Sequence, residues 1–152
     1  MYSPVFSVVV IAGGESYRMG TDKAFLDYHG KPFIRAITDE MLTISEDIVV
    51  LVGNKVVSQF TTTLNAGVKI LNDAYSIQNP MGGILSVCDH VSNKYSAFLG
   101  CDTPMMKAKV IRHLFDKAFG HSAAVPIWNN KNAEPLCAVC NASETRVAGE
   151  KL

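Results

Sequence analysis

An α/β fold, a three-layer α/β/α sandwich on a mostly parallel Rossmann-like sheet, is predicted by three features of the sequence. Short apolar runs of strand length recur along the chain. Segments with apolar residues at helical spacing separate them, and that alternation belongs to a parallel sheet joined by crossover helices. Polar or glycine-rich clusters follow four of the runs, where ligands collect in such sheets.

Taken in order, the first strand is expected over Val5–Ile11, an almost unbroken apolar run. Pro32 suits the first turn of a helix whose stripe is Phe33, Ile37, Met41 and Ile44. Asp47–Val52 reads as the second strand. A less regular helix carries Val56, Val57, Phe60 and Leu64, because Thr61-Thr62-Thr63 is a poor helix interior. Val68–Leu71 is the third strand, and Met81, Ile84, Leu85, Cys88 and Val91 mark the helix after it. Tyr95–Leu99 is the fourth. The next helix turns Val110, Ile111, Leu114, Phe115 and Ala118 inward, with Lys107, Lys109, Arg112 and Asp116 on its wet side. Ala123–Trp128 and Leu136–Val139 complete the strands. Residues 1–140 are read as one domain; residues 141–152 are polar, show no convincing period and read as a tail.

Composition narrows the function. The 152 residues are 48% apolar and 18% charged, a balance that supports a buried core and excludes a disordered chain. Lys+Arg and Asp+Glu number 14 each, so no global field attracts nucleic acid or an anionic membrane, and an anion site must be built locally. No signal peptide or membrane-spanning stretch is recognised, which places the expected location in the cytoplasm. Cys137 and Cys140 have the spacing of a redox or zinc pair, but they stand in a strand and lack a second pair. Reduced thiols are expected.

The richest cluster is Ile11-Ala-Gly-Gly-Glu-Ser-Tyr-Arg-Met-Gly-Thr-Asp-Lys23, directly after the first strand. Glycines let backbone N–H groups approach an anion, and Arg18 and Lys23 can neutralise a polyphosphate held there. The spacing is neither a Walker A loop nor a dinucleotide fingerprint. Substitution at phosphorus depends on such positioning and charge neutralisation. Asp102, in Gly100-Cys-Asp-Thr-Pro104, suits the anchor of a Mg²⁺ ion that completes its shell with phosphates and water; an N-cap for the next turn is the competing reading. Asn54, after Val52-Gly53, offers a donor and an acceptor to a base, or caps a helix. Asp73 suits base or ribose contacts, or a simple turn. Asn79-Pro-Met-Gly-Gly83 puts a glycine pair at a helix start, as an anion-facing N-terminus or a tight turn. Trp128 with Asn129-Asn130 suits stacking on a planar substrate, or merely ends a strand.

Taken in sequence, these segments resemble the molybdenum cofactor guanylyltransferases, the MobA family, within the nucleotide-diphospho-sugar transferase-like group. The resemblance rests on Ile11-Ala-Gly-Gly, Ser16-Tyr-Arg-Met-Gly, Asp22-Lys-Ala-Phe-Leu, Gly30-Lys-Pro, Val52-Gly-Asn, Asp73, Asn79-Pro-Met-Gly-Gly, Cys101-Asp-Thr-Pro and Glu134-Pro-Leu-Cys-Ala-Val. It implies a Mg²⁺-dependent transfer of GMP from GTP to molybdopterin, releasing pyrophosphate. It implies that the backbone of Ile11, Ala12 and Gly13 and the side chain of Lys23 hold GTP, that Asn54 and Asp73 contact the nucleoside, and that Asp102 binds metal and nucleotide. Gly14, where cytidylyl relatives carry Ala, favours guanine. The chain departs from the family at Asn79 and at Cys140. Its end, Ala142 to Leu152, lacks the Asn-x-Asn-Thr-Pro segment of family members, so a truncated form is expected, with GTP binding surviving better than transfer. Cytidylyl or sugar-phosphate nucleotidyl transfer, and a GTP-binding module that docks on molybdenum-insertion proteins without catalysis, are the alternatives.

Overall fold

Val8, Val9 and Val10 are completely buried because strand β1 (Ser7–Ile11) has a helical layer on each face. The computed structural model describes residues 5–13, 20–72 and 80–151, with backbone alone at 80 and 81. After β1 come a 3₁₀ turn (Lys23–Phe25), a small hairpin of β2 (Asp27–Tyr28) and β3 (Lys31–Pro32), then α1 (Phe33–Met41) and β4 (Ile48–Gly53). Next are α2 (Val57–Thr63), β5 (Lys69–Asn72), α3 (Pro80–Cys88) and β6 (Tyr95–Gly100). The chain continues through α4 (Ala108–Ala118), β7 (Ala123–Ala124), β8 (Cys137–Asn141) and α5 (Ala142–Gly149).

The main sheet has the order β5-β4-β1-β6-β8-β7. The first four strands are parallel; β8 runs antiparallel to β6, and β7 antiparallel to β8. Its two faces follow from the period of two along each strand. Val8, Val10 and Ala12, with Val50, Val52, Ala97 and Leu99, join Ile34, Ile37 and Met41 of α1, Phe60 of α2 and Ile111, Leu114 and Phe115 of α4. Phe6 stacks on Phe115 with ring centroids 5.0 Å apart. Val9, Val49, Leu51 and Phe98 face the other way, onto Val87 and Ile84 of α3. The strand order reverses direction at β1, with β4 and β5 laid to one side and β6 to the other. The crevice of this switch point opens between β1 and β6 at their carboxyl ends.

The α/β sandwich is as expected, and four local readings change. Residues 142–149 are helix α5, not an irregular tail: Asn141 caps it, and Gly149 lies so close to α3 that a Cβ there would meet Leu85 Cδ2 at 2.4 Å. The strand expected over Ala123–Trp128 keeps only two residues, because Pro126 has no N–H for a ladder; Ile127 makes an isolated bridge to Ala133 beyond it. The unforeseen hairpin β2–β3 turns on His29 and Gly30, with φ of 52° and 83°, the pair of positive values a type I′ turn requires. The buried line of α1 runs through Ile34, Ile37, Thr38 and Met41 instead of Phe33.

The cysteines are free, as expected. Cys137 joins the α1/α4 side of the core and Cys140 packs on the α3 side, since residues three apart in a strand face opposite ways. They do not form a metal or redox pair. Among the described residues, no helix is long and apolar enough to cross a membrane.

Candidate active site

The ends of β1, β4 and β6 build one edge. Ile11 stands in register with Leu51 and with Gly100. Beyond it the ladder continues by two further bonds: the Ala12 N–H donates to the Leu51 carbonyl (2.8 Å) and the Cys101 N–H to the Ile11 carbonyl (3.1 Å). Gly13 then meets Gly53 so closely that a Cβ on Gly13 would lie 3.0 Å from the Gly53 nitrogen. The sequence thus needs glycine at both strand ends: at Gly13 for this approach, at Gly53 also for its φ of 61°.

Asn54 follows Gly53 and is exposed at this edge. It caps nothing, because the N-cap of α2 is Val56 and carries no side-chain bond. Asp102, also exposed, follows β6, and its Oδ1 lies 2.8 Å from where a Cβ on Gly100 would stand. Nor does Asp102 cap the turn that follows it: among the described residues no N–H donates to its carboxylate, and the turn closes through the Met106 N–H on the Thr103 carbonyl at 3.0 Å. Further on, the Ala108 N–H at the head of α4 is held by Glu40 Oε1 of α1, at 2.9 Å. Among the described residues the carboxylate of Asp102 and the ammonium of Lys23 have no hydrogen-bonded or ion-paired partner. Lys23 stands exposed at the head of the 3₁₀ turn, whose N-cap Asp22 accepts from the Ala24 N–H at 3.1 Å.

One residue here, Lys55, had no signal in the sequence. Lys55 Nζ donates to the Ala12 carbonyl and to Asp22 Oδ1, the latter at 2.8 Å. The Cys101 thiol reports the same gathering of charge. Burial pushes its pKa up to about 11; Asp102 and Asp22 add to the rise, and Lys55 and Lys23 oppose it. Ile11, Ala12, Gly13, Lys23, Asn54 and Asp102 are therefore brought to one edge, whereas Gly14, Arg18, Asp73 and Asn79 lie outside the described residues. Gly82 and Gly83 are buried within the first turns of α3. Trp128 is 64% exposed on the β7–β8 connection, its indole N–H 3.4 Å from Glu134 Oε2.

Mg²⁺ takes one or two carboxylates and fills its octahedron with phosphate oxygens and water. The open carboxylate of Asp102 fits that donor set. Among the described residues no group of three or more His, Cys, Asp or Glu could hold a metal without a ligand's help.

This sheet order, with its switch crevice and antiparallel β8, defines a three-layer α/β sandwich on a mostly parallel sheet. Residues 8–149 match the model of the MobA-like NTP transferase domain family. The chain is 33% identical over 144 residues to a Methanothermobacter thermautotrophicus protein named "Probable molybdenum cofactor guanylyltransferase", covering 92% of this chain and 73% of that one. A Clostridium perfringens protein of the same name is 30% identical over 134 residues; the match covers 88% of this chain and 64% of the relative's length. The crystal structure of molybdopterin-guanine dinucleotide biosynthesis protein A from Archaeoglobus fulgidus superposes with a TM-score of 0.75 at 19% identity, over 96% of this chain and 72% of that one. The chain belongs to the MobA-like NTP transferase domain family, a family of nucleotidyltransferases.

Proposed function

We propose that the chain transfers GMP from GTP to the terminal phosphate of molybdopterin, giving a guanine dinucleotide form of the molybdenum cofactor. The acceptor oxygen bonds to the α-phosphorus, and the α–β bridging bond breaks with its electron pair leaving on pyrophosphate. The observation that carries this reading is the gathering of Gly13, Lys23, Asn54 and Asp102 on one edge beside the β1/β6 switch point. The names of the relatives support guanine and the pterin acceptor.

In this reading the backbone of Ile11, Ala12 and Gly13 cradles the phosphates, and Lys23 neutralises them. Asn54 offers its amide to the nucleoside, with Gly14, Arg18 and Asp73 contributing to base, phosphate and ribose. Asp102 would hold Mg²⁺, which would supply neutralisation of phosphate charge there. Positioning of the two substrates and neutralisation of phosphate charge account for the catalysis.

The test is pyrophosphate release from a panel of nucleoside triphosphates with molybdopterin and Mg²⁺. Release from GTP well above CTP, ATP and UTP is expected. Release from CTP with GTP ignored would overturn the guanine assignment. GTP binding without release would favour a non-catalytic module.

A further inference from the structure

Resting on this nucleotide reading, we infer that Lys55 is a positioning residue of the phosphate loop. It silences the negative charge of Asp22 and turns the Gly13 amide toward the triphosphate. Its ammonium bonds to the Ala12 carbonyl and to Asp22, so it ties the residue before Gly13 to the residue before Lys23. Both side chains are mostly withdrawn from water, Lys55 at 21% and Asp22 at 25% exposure, where pairing matters more than at an open surface.

Two consequences follow from elementary geometry. The peptide joining Ala12 to Gly13 is planar and trans, so its N–H points opposite to its carbonyl. Anchoring that carbonyl on Lys55 fixes the Gly13 N–H away from Lys55, and the cation polarises the amide into a stronger donor. The second consequence concerns charge. A bare carboxylate at Asp22, adjacent to Lys23, repels phosphate and cancels the neighbouring ammonium. Paired with Lys55 and accepting from the Ala24 N–H, Asp22 instead holds the turn that presents Lys23.

The experiment titrates GTP with Mg²⁺ by calorimetry into the parent and the variants Lys55→Met, Asp22→Asn, the two combined, and Lys23→Ala, with thermal melting of each. Lys55→Met should weaken GTP about 10- to 100-fold, the range for losing hydrogen bonds to a charged group. It should also raise KM for GTP more than it lowers kcat. Adding Asp22→Asn to Lys55→Met should recover roughly tenfold, since the unpaired charge is gone. A merely structural Lys55 gives no such recovery, and that result overturns the inference. If Lys55→Met does not fold, the double variant is compared with Asp22→Asn alone. Weaker binding by the double variant supports the amide-orienting role, and equal binding refutes it. Lys23→Ala separates the two levels. Parent-like GTP binding there removes the nucleotide reading itself, whereas lost binding beside an unaffected Lys55→Met removes only the role of Lys55.

Discussion

Gly13 and Gly53 meet backbone to backbone where β1 and β4 end: a Cβ on Gly53 would lie 3.0 Å from the Gly13 Cα, and Gly53 also holds φ at 61°. Gly53→Ala therefore combines a left-handed backbone with a clash against main chain that cannot swing aside. A loss of about 1–3 kcal/mol is expected. Gly67 has open space around it and no positive φ, so Gly67→Ala should stay within about 0.5 kcal/mol of the parent. Urea unfolding of the two variants checks the contrast.

Asp47 ties the opposite edge of the sheet together. It accepts from Ser7 Oγ of β1, from the Ser92 N–H (2.8 Å) and from Lys69 Nζ of β5 (2.7 Å). Burial alone would raise its pKa, but the bonds from Lys69, Ser7 and Ser92 and the charge of Lys69 outweigh that and hold it below the usual carboxylate range. Its stabilisation is thus complete above about pH 4 and is lost as acid carries the pH down through the depressed folded value. Asp39 is also lowered, its burial overcome by Lys31, Arg35 and Asn65, and it adds to the same acid loss. Asp47→Asn should cost about 1–3 kcal/mol at neutral pH and flatten part of the acid limb. Denaturation from pH 7 to pH 2 measures both.

Cys101 lies beside Asp102 but should be chemically quiet. With its pKa pushed up to about 11 by burial and by Asp102 and Asp22, the thiolate fraction at pH 8 is roughly one in a thousand. Iodoacetamide labelling of the folded chain, followed by mass spectrometry across pH 7 to 10, should leave Cys101 unmodified at neutral pH and rise steeply only at the alkaline end. Rapid labelling at pH 7 would show that the neighbouring lysines dominate instead.

Helix α5 depends on the residue that caps it. Asn141 is buried, its side chain accepts from the Glu144 N–H at 3.5 Å, and its Nδ2 donates to Glu144 Oε1 at 2.9 Å. Asn141→Ala should cost about 1 kcal/mol, within the 0.5–2 known for caps. A melting curve and the amide exchange of residues 142–149 report it.

What the sequence made legible follows from locality. Apolar runs such as Val8–Val10 and the stripe of α4 located strands and helices to within a few residues. The rule of carboxyl ends places Ile11–Gly13, Asn54 and Asp102 on one edge from the sequence alone. Two local signals were present and unread. Asn141-Ala-Ser-Glu144 is a capping pattern, and it starts the helix where hydrophobic period is absent. His29-Gly30 is a turn pair whose short flanking strands leave little pattern. Lys55 and its pairing with Asp22 had no signal to read. The two residues stand 33 positions apart, and only the pairing of β1 with β4 brings their side chains together. Likewise, the carboxylate that caps α4 comes from Glu40, 68 positions upstream.

The central claim is that polyphosphate binds at the carboxyl end of β1, against Lys23 and opposite Asp102. Calorimetric titration of GTP and Mg²⁺ into the parent chain and Lys23→Ala tests it most directly. The account predicts a loss of affinity of about 100-fold or more with the melting temperature unchanged, because Lys23 is exposed and bears on a charged ligand. Binding by the variant within twofold of the parent would contradict it.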